Sequence, residues 1–273
     1  KLPAILCDIA CGFLLYREAV KRLHFSDLQG IFAASAYLFQ PAVILNSSCW
    51  GQVDSVYTLM IILMCLFLMK GNLLPAYAVY GLGVLLKPQM LIFTPVLLTG
   101  IWDHVFLQDF SWRKFFYNLC GGLVVICGML LLCAPFGLTA AISQYTSTLG
   151  SYEYAAINAY NFWGLLGMNW VDQNTIFLFL PCKIWGTIVI LLIVLFTFLI
   201  AARCRKEPSR YFCLGAFIIL TMFLFSVRMH ERYMYPGLAL LLFCCLYRPS
   251  TPLWKCFSGF AVLHFYNTAN VLY

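Results

Sequence analysis

The chain has 273 residues, 63% of them hydrophobic, 17% aromatic and 10% charged, with a net charge of +7. Soluble domains carry about 25% charged residues, and 17 Lys and Arg with 10 Asp and Glu cannot coat a water-facing surface of this size. A soluble enzyme, a disordered segment and an ordinary nucleic-acid module are excluded.

The apolar residues form long uncharged runs, such as 186–202 and 212–227, close to the roughly 20 residues that cross a bilayer. In chain order, helical membrane segments are predicted near 2–16, 30–45, 53–69, 73–86, 89–102, 115–134, 184–202, 211–227, 233–247 and 253–268. Lys87-Pro88-Gln89 separates the two short segments at 73–86 and 89–102. Proline disfavours helix at the residue before it, so the break stands whether the pair forms two tilted spans or one re-entrant hairpin. The expected fold is all-α: a polytopic transmembrane helix bundle of about ten segments, one transmembrane domain over 1–273, with short cytoplasmic loops and a longer external loop at 135–181. Nine of the 13 cysteines lie inside apolar runs, where Cys acts as a small hydrophobe, and no Cys/His spacing suits a structural metal. The chain starts at Lys1 and enters a hydrophobic segment at once, so further residues are expected upstream.

The cations alternate between loops. Arg17, Lys21, Arg22, Lys70, Arg113, Lys114, Arg203, Arg205, Lys206, Arg210, Arg248 and Lys255 fall on one side, and Lys1, Lys87, Lys183, Arg228 and Arg232 on the other. The positive-inside rule makes the first side cytoplasmic. The 135–181 loop carries no Lys or Arg before its end and lies outside. Its Tyr, Trp and Asn residues suit a shelf packed on helix ends, and also suit stacking on sugar rings.

Charges are costly in a bilayer, so the polar residues on the outer side carry the information. Residues 46–55 hold Asn46, Trp50, Gln52 and Asp54, read either as an interfacial turn with an acid at a helix start or as part of a pocket. Asn46-Ser47-Ser48 also fits a glycosylation acceptor, a pattern too common to use. Lys87-Pro88-Gln89 sets a cation at a helix break, able to snorkel or to bind a phosphate or carboxylate. Arg228-Met229-His230-Glu231-Arg232-Tyr233 packs four titratable groups between two apolar runs, either as an ion-pair knot or as a phosphate site. There Arg donates bidentately, His donates a hydrogen bond or proton, and Glu231 orients them. Asp8 lies within the first segment, facing a wet cavity or another helix. Asn158, Asn161 and Trp163 form a weaker group. Together these residues imply an outward-facing polar pocket for an anionic, hydroxyl-rich ligand.

Trp50-Gly51-Gln52-Val53-Asp54, Lys87-Pro88-Gln89 with Pro95, Asn158–Trp163, and Met229–Tyr233 with Pro236, read together, resemble the GT-C superfamily of polytopic glycosyltransferases. The nearest likeness is to bacterial proteins similar to GPI-anchor mannosyltransferases. The Lys87–Pro95 stretch and His230-Glu231-Arg232 are also similar to motifs of glucosyltransferases of the endoplasmic reticulum that use dolichyl-phosphate-glucose. The resemblance implies a GT-C-like bundle in a bacterial cell membrane and an inverting hexosyltransferase, mannosyltransferase-like, acting on the extracytoplasmic face. Its donor would be a polyprenyl-phosphate sugar and its acceptor a hydroxyl of a lipid, glycan or protein, with no nucleic acid involved. By that analogy His230 and Arg232 hold the donor phosphate, Lys87 adds a second cation and Glu231 orients the cluster, with Arg228, Gln89, Trp50, Gln52, Asn161 and Asp8 as the further substrate-binding candidates. The resemblance places the catalytic acid in an external loop after the first helix, so the general base is expected upstream of Lys1. Asp54 and Glu231 are the acids within the chain that could serve instead. A cofactor is not called for, and a metal held by this chain is disfavoured because few carboxylates lie on the outer side. The alternative functions are a transporter or flippase of lipid-linked or anionic solutes, which the Lys87-Pro88 break and Asp8 suggest, and a non-catalytic scaffold.

Overall fold

The computed structural model describes residues 1–108, 110–148, 152–207 and 209–273 in full, and 149–150 by backbone alone. The chain is a helix bundle with almost no sheet. Its first helix, α1 (Leu2–Arg17), runs on through a π turn at Glu18–Arg22. Ser26 and Gln29 then form a reciprocal capping box that starts α2 (Asp27–Leu38). Pro41 ends that helix. Gln40 before it is extended and its side chain caps the Val43 amide at 3.0 Å, so α3 (Pro41–Trp50) leaves at 48° to α2. The single segment predicted at 30–45 is therefore a bent pair. Residues 46–50, read as loop, are instead the last turns of α3, because Gly51 at φ +83 supplies the left-handed stop that follows them.

α4 (Asp54–Met69) and α5 (Leu73–Leu86) pack closely as an antiparallel pair. Lys87 is extended, at φ −154 and ψ 117, as its place before Pro88 requires. Then α6 (Pro88–Leu107) starts with a 3₁₀ turn and runs 20 residues, longer than the segment predicted there. α7 (Trp112–Cys133) has no buried residue along its 22 residues; one side packs on α5, where Tyr77 donates to Asn118 at 3.3 Å, and the other side is open. The stretch predicted as an external loop opens with a further helix, α8 (Leu138–Gly150), whose Tyr145 hydroxyl donates to the Val84 carbonyl of α5. Beyond it come β1 (Ala156–Ile157), the short helix α9 (Phe162–Leu165) and a two-stranded hairpin of β2 (Ile176–Phe177) with β3 (Leu180–Pro181). α10 (Cys182–Arg203) and α11 (Arg210–Phe225) follow, then β4 (Met229–His230), which pairs in parallel with β1. α12 (Tyr235–Tyr247) and α13 (Thr251–Leu272) close the chain.

Among the described residues three helices, Pro88–Leu107, Trp112–Phe136 and Cys182–Arg203, are long and apolar enough to cross a membrane, and the bent α2–α3 pair makes a fourth. Each of the ten predicted segments falls on a helix, but α4, α5, α11 and α12 are shorter than a full crossing. The count of ten crossings therefore rests on the sequence reading alone. At the centre stands α12, buried at every residue from Tyr235 to Leu246. A helix apolar on all sides belongs inside a bundle, and α2, α4, α11 and α13 surround it. Gly237 permits the approach of α11, since a Cβ there would run into Leu220. Association of this kind in lipid depends on close packing of small residues.

Contacts mark two ends of the bundle. At one end Tyr247 donates to Glu18 (2.6 Å), and Arg210 pairs with Asp103 while Tyr211 donates to the same carboxylate at 2.7 Å. At the other end lie the starts of α1, α4 and α12 and the Lys87 break, joined through Ser55 Oγ to the Ala4 carbonyl at 2.8 Å and Lys87 to Asp54. Arg210 and Asp103 are both buried, and removing one partner of such a pair costs about 3–5 kcal/mol. Arg210→Met should lower the thermal unfolding midpoint of the detergent-purified protein accordingly, whereas replacing an exposed lipid-facing leucine of α7 by isoleucine should leave the midpoint unchanged.

Candidate active site

Asp54 opens α4, where the helix dipole favours a negative charge, and it has no solvent exposure. A carboxylate in that position must be neutralised by partners. Lys87, held at the break before Pro88, pairs with Asp54 Oδ1, and Arg232 Nε lies 4.0 Å from Oδ2. Arg232 Nη1 donates to Glu231 Oε1 at 2.9 Å, and Glu231 Oε2 lies 3.7 Å from His230 Nδ1. The result is a chain of alternating charge, Lys87–Asp54–Arg232–Glu231–His230, drawn from three separated stretches of sequence. It is balanced when the imidazole is neutral and carries one positive charge when it is protonated.

Aromatic rings wall this chain. Lys87 Nζ lies 4.7 Å from the Tyr57 ring and 5.9 Å from that of Tyr233, and the Arg232 guanidinium lies 5.6 Å from the Trp50 ring. Such stacking favours cations that are held away from water. The His230 ring meets Tyr152 edge to face at 4.3 Å and Tyr233 at 4.9 Å. Its backbone is fixed by the β1–β4 pairing, in which Ile157 is the register partner of His230.

Among the described residues, several buried polar atoms here make no hydrogen bond: His230 Nε2, Arg232 Nε, Asp54 Oδ2, Gln89 Oε1 and the Tyr57 hydroxyl. Leaving such an atom unsatisfied costs about 1–3 kcal/mol, and a polar ligand or water recovers it. Burial alone would raise the Glu231 carboxyl. The imidazole of His230, its own backbone amide and the Arg232 charge outweigh burial and hold it below the ordinary value.

The other residues singled out in the sequence take different places. Asp8 sits deeper, accepting from Tyr37 (2.8 Å) and Tyr235 (2.6 Å), in a buried layer that includes Ser47. Gln52 lies half-buried in the turn at 51–53, its amide donating to the Asn46 carbonyl at 2.9 Å. Asn161 caps α9 by accepting from the Gly164 amide at 2.9 Å, and its Nδ2 donates to the Ser226 carbonyl at 3.5 Å. Trp163 is buried, with its indole N–H on the Phe225 carbonyl at 3.0 Å. The side chain of Arg228 turns to Gln173, donating from Nε at 2.7 Å. Sequence reasoning passed over His264 of α13. It is fully buried, its ring lies 5.9 Å from Tyr235, and neither ring nitrogen has a partner among the described residues. A histidine three positions before Asn267 in an otherwise apolar segment was the available signal. Asn267 itself fastens the segment between α8 and α9, accepting from the Tyr160 amide at 2.9 Å and donating to the Asn158 carbonyl.

An all-helical membrane bundle with a charge-balanced polar cluster at one end is, once the family comparison is added, a polytopic membrane glycosyltransferase. The model of glycosyltransferase family 87 matches residues 4–226, and the chain belongs to that family. No match was found among curated proteins. The matched stretch holds Asp54, Lys87 and Gln89 and ends just before Arg228. Of the readings left open by the sequence, membership supports a membrane glycosyltransferase, which implies a sugar donor and an acceptor.

The lowered carboxyl of Glu231 has a consequence for stability. Its contribution is complete above the ordinary carboxylate value and is lost as pH falls through the depressed folded value. Glu231→Gln should lower the unfolding midpoint near neutral pH by about 2–4 °C for ~1 kcal/mol. It should also flatten the loss of stability on the acid side, as measured by thermal unfolding in detergent across pH.

Proposed function

We propose that the protein transfers a hexose, with mannose as the leading candidate, from a polyprenyl-phosphate-linked donor to an acceptor hydroxyl on the extracytoplasmic face of a cell membrane. The observation that carries this reading is the meeting of Lys87, Arg232 and His230 in one buried cluster with unpaired polar atoms. Sidedness is supported by the cation count, because the cluster lies at the end with the fewer Lys and Arg. A bacterial membrane is the setting that the sequence resemblance favours.

The donor is a phosphodiester with one negative charge. When the bond between the anomeric carbon and the phosphate oxygen breaks, the leaving polyprenyl phosphate gains a second charge. The acceptor oxygen bonds to the opposite face of that carbon, inverting it, and its proton passes to water or to the released phosphate. Groups that meet charge as it develops speed such a step most. Lys87 and Arg232 supply that charge, and His230 can donate a hydrogen bond to the phosphate. Asp54 and Glu231 are each engaged by a cation, which suits them to holding those cations in place. Gln89, Trp50 and Tyr57 complete the walls, and Asp8 and Asn161 support the frame around them.

The test is transfer from radiolabelled polyprenyl-phosphate-mannose to endogenous acceptor in membranes carrying the protein. His230→Ala and Arg232→Ala should each reduce the rate by about 10²–10³-fold with unchanged amounts of protein in the membrane. Wild-type rates in both variants would overturn the assignment. Comparing mannose and glucose donors decides the sugar.

A further inference from the structure

Arg228 is the residue of the 228–233 cluster that does not share its geometry. It has φ +63, a left-handed conformation that is uncommon for a bulky residue and arises where the surroundings impose it. Its amide is held by the Ala155 carbonyl at 3.1 Å, and Nε is held by the side chain of buried Gln173 at 2.7 Å. The carbonyl of Gln173 also accepts from the Lys183 amide at 2.9 Å, in the first turn of α10. One buried glutamine thus fixes both Arg228 and the start of a 22-residue helix.

Between them lies a cavity of about 430 Å³, framed by Gln173, by Lys183 and Thr187 of α10, and by residues 226–229. Gly186 lets the 226–229 strap lie directly on α10, since a Cβ there would collide with Val227. Among the described lining residues there are two cations and no carboxylate. The N-terminus of α10 adds its positive dipole end. Below the cavity, α10 presents Ile184, Leu191 and Leu195 outward, an apolar track continuous with the polar mouth. Lys183 and Arg228 both belong to the outer set of cations, level with the end where chain and headgroup region meet.

We propose that this cavity binds the phosphate of an anionic phospholipid, with the headgroup between Lys183 and Arg228 and the acyl chains along α10. A phosphate group takes charge-assisted hydrogen bonds from Arg and Lys. The lipid-facing track beside the cations favours a phosphate that arrives on acyl chains. The site goes beyond the transfer reaction and is read without it.

Detergent-purified full-length chain is incubated with dioleoylphosphatidylglycerol, with the neutral dioleoylglycerol, or with inorganic phosphate alone, and retained ligand is measured by native mass spectrometry. Phosphatidylglycerol should be retained, dioleoylglycerol should not, and millimolar inorganic phosphate should leave the bound lipid in place. The double variant Lys183→Gln with Arg228→Gln should lower lipid retention by about tenfold, the loss of charge-assisted contacts. The pair Lys183→Arg with Arg228→Lys keeps both charges and should keep the lipid, which separates lost charge from lost fold. Equal retention by wild type and the Gln double variant, or equal retention of phosphatidylglycerol and dioleoylglycerol, overturns the proposal. Charge-dependent binding of inorganic phosphate that displaces the lipid overturns the lipid source and leaves a site for a soluble phosphate.

Discussion

A carboxylate with no contact with water governs the polar end of this bundle. Asp54 cannot be left as an isolated charge inside protein, so Lys87 and Arg232 must come to it. Lys87 can do so because Pro88 prevents it from continuing the helix and turns its side chain into the bundle. Arg232 can do so because the chain between α11 and α12 is held by a strand pairing with β1. Three stretches that are far apart in sequence are thereby tied at one point. The same requirement then extends along the chain, since Arg232 engages Glu231 and Glu231 faces His230. In a medium that solvates charge poorly, each partner in such a series settles the position of the next.

Beneath that level the bundle repeats the theme with neutral groups. Asp8 is satisfied by two phenols, Tyr37 of α2 and Tyr235 of α12. Tyr235 begins the helix whose remaining length is wholly apolar, so the polar layer and the apolar core are contributed by the same element. At the opposite end Asp103, Arg210 and Tyr211 form a second buried pair with a phenol attached. The bundle is thus pinned by polar contacts at both ends and packed by close apolar contact between them, a sensible division where the surrounding lipid gives no hydrophobic drive for helices to associate.

Much of this was legible in the sequence because charge is scarce there. With so few ionisable residues, a Lys before Pro88 and four titratable groups around His230 stand out against apolar runs, and their alternation with the other cations places them at one end. What could not be read was pairing. Nothing in the order of residues says that Lys87 meets Asp54 or that Arg228 turns away to Gln173, since the sign of φ at residue 228 is decided by tertiary contacts. Asn46-Ser47-Ser48 has turn-like composition, yet packing keeps it helical until Gly51 permits the stop. The 135–181 stretch read as a loop because its Ser, Thr and Gly residues have weak helix propensity, although residues 138–150 form a helix tied to α5 through the Tyr145 hydroxyl. Asn161 stood out only as one of a weaker polar group, and its role in capping α9 was not legible. His264 was overlooked because one imidazole in an apolar helix carries no pattern.

The two-residue ladder between β1 and β4 has a mechanical consequence. It joins the backbone beside His230 to a strand more than seventy positions earlier, a few residues beyond the tyrosine that covers the imidazole. That outer stretch cannot swing aside as a unit without either breaking the ladder or dragging the imidazole with it. Movement of residues 156–157 as a unit is therefore tied to the backbone that carries the imidazole.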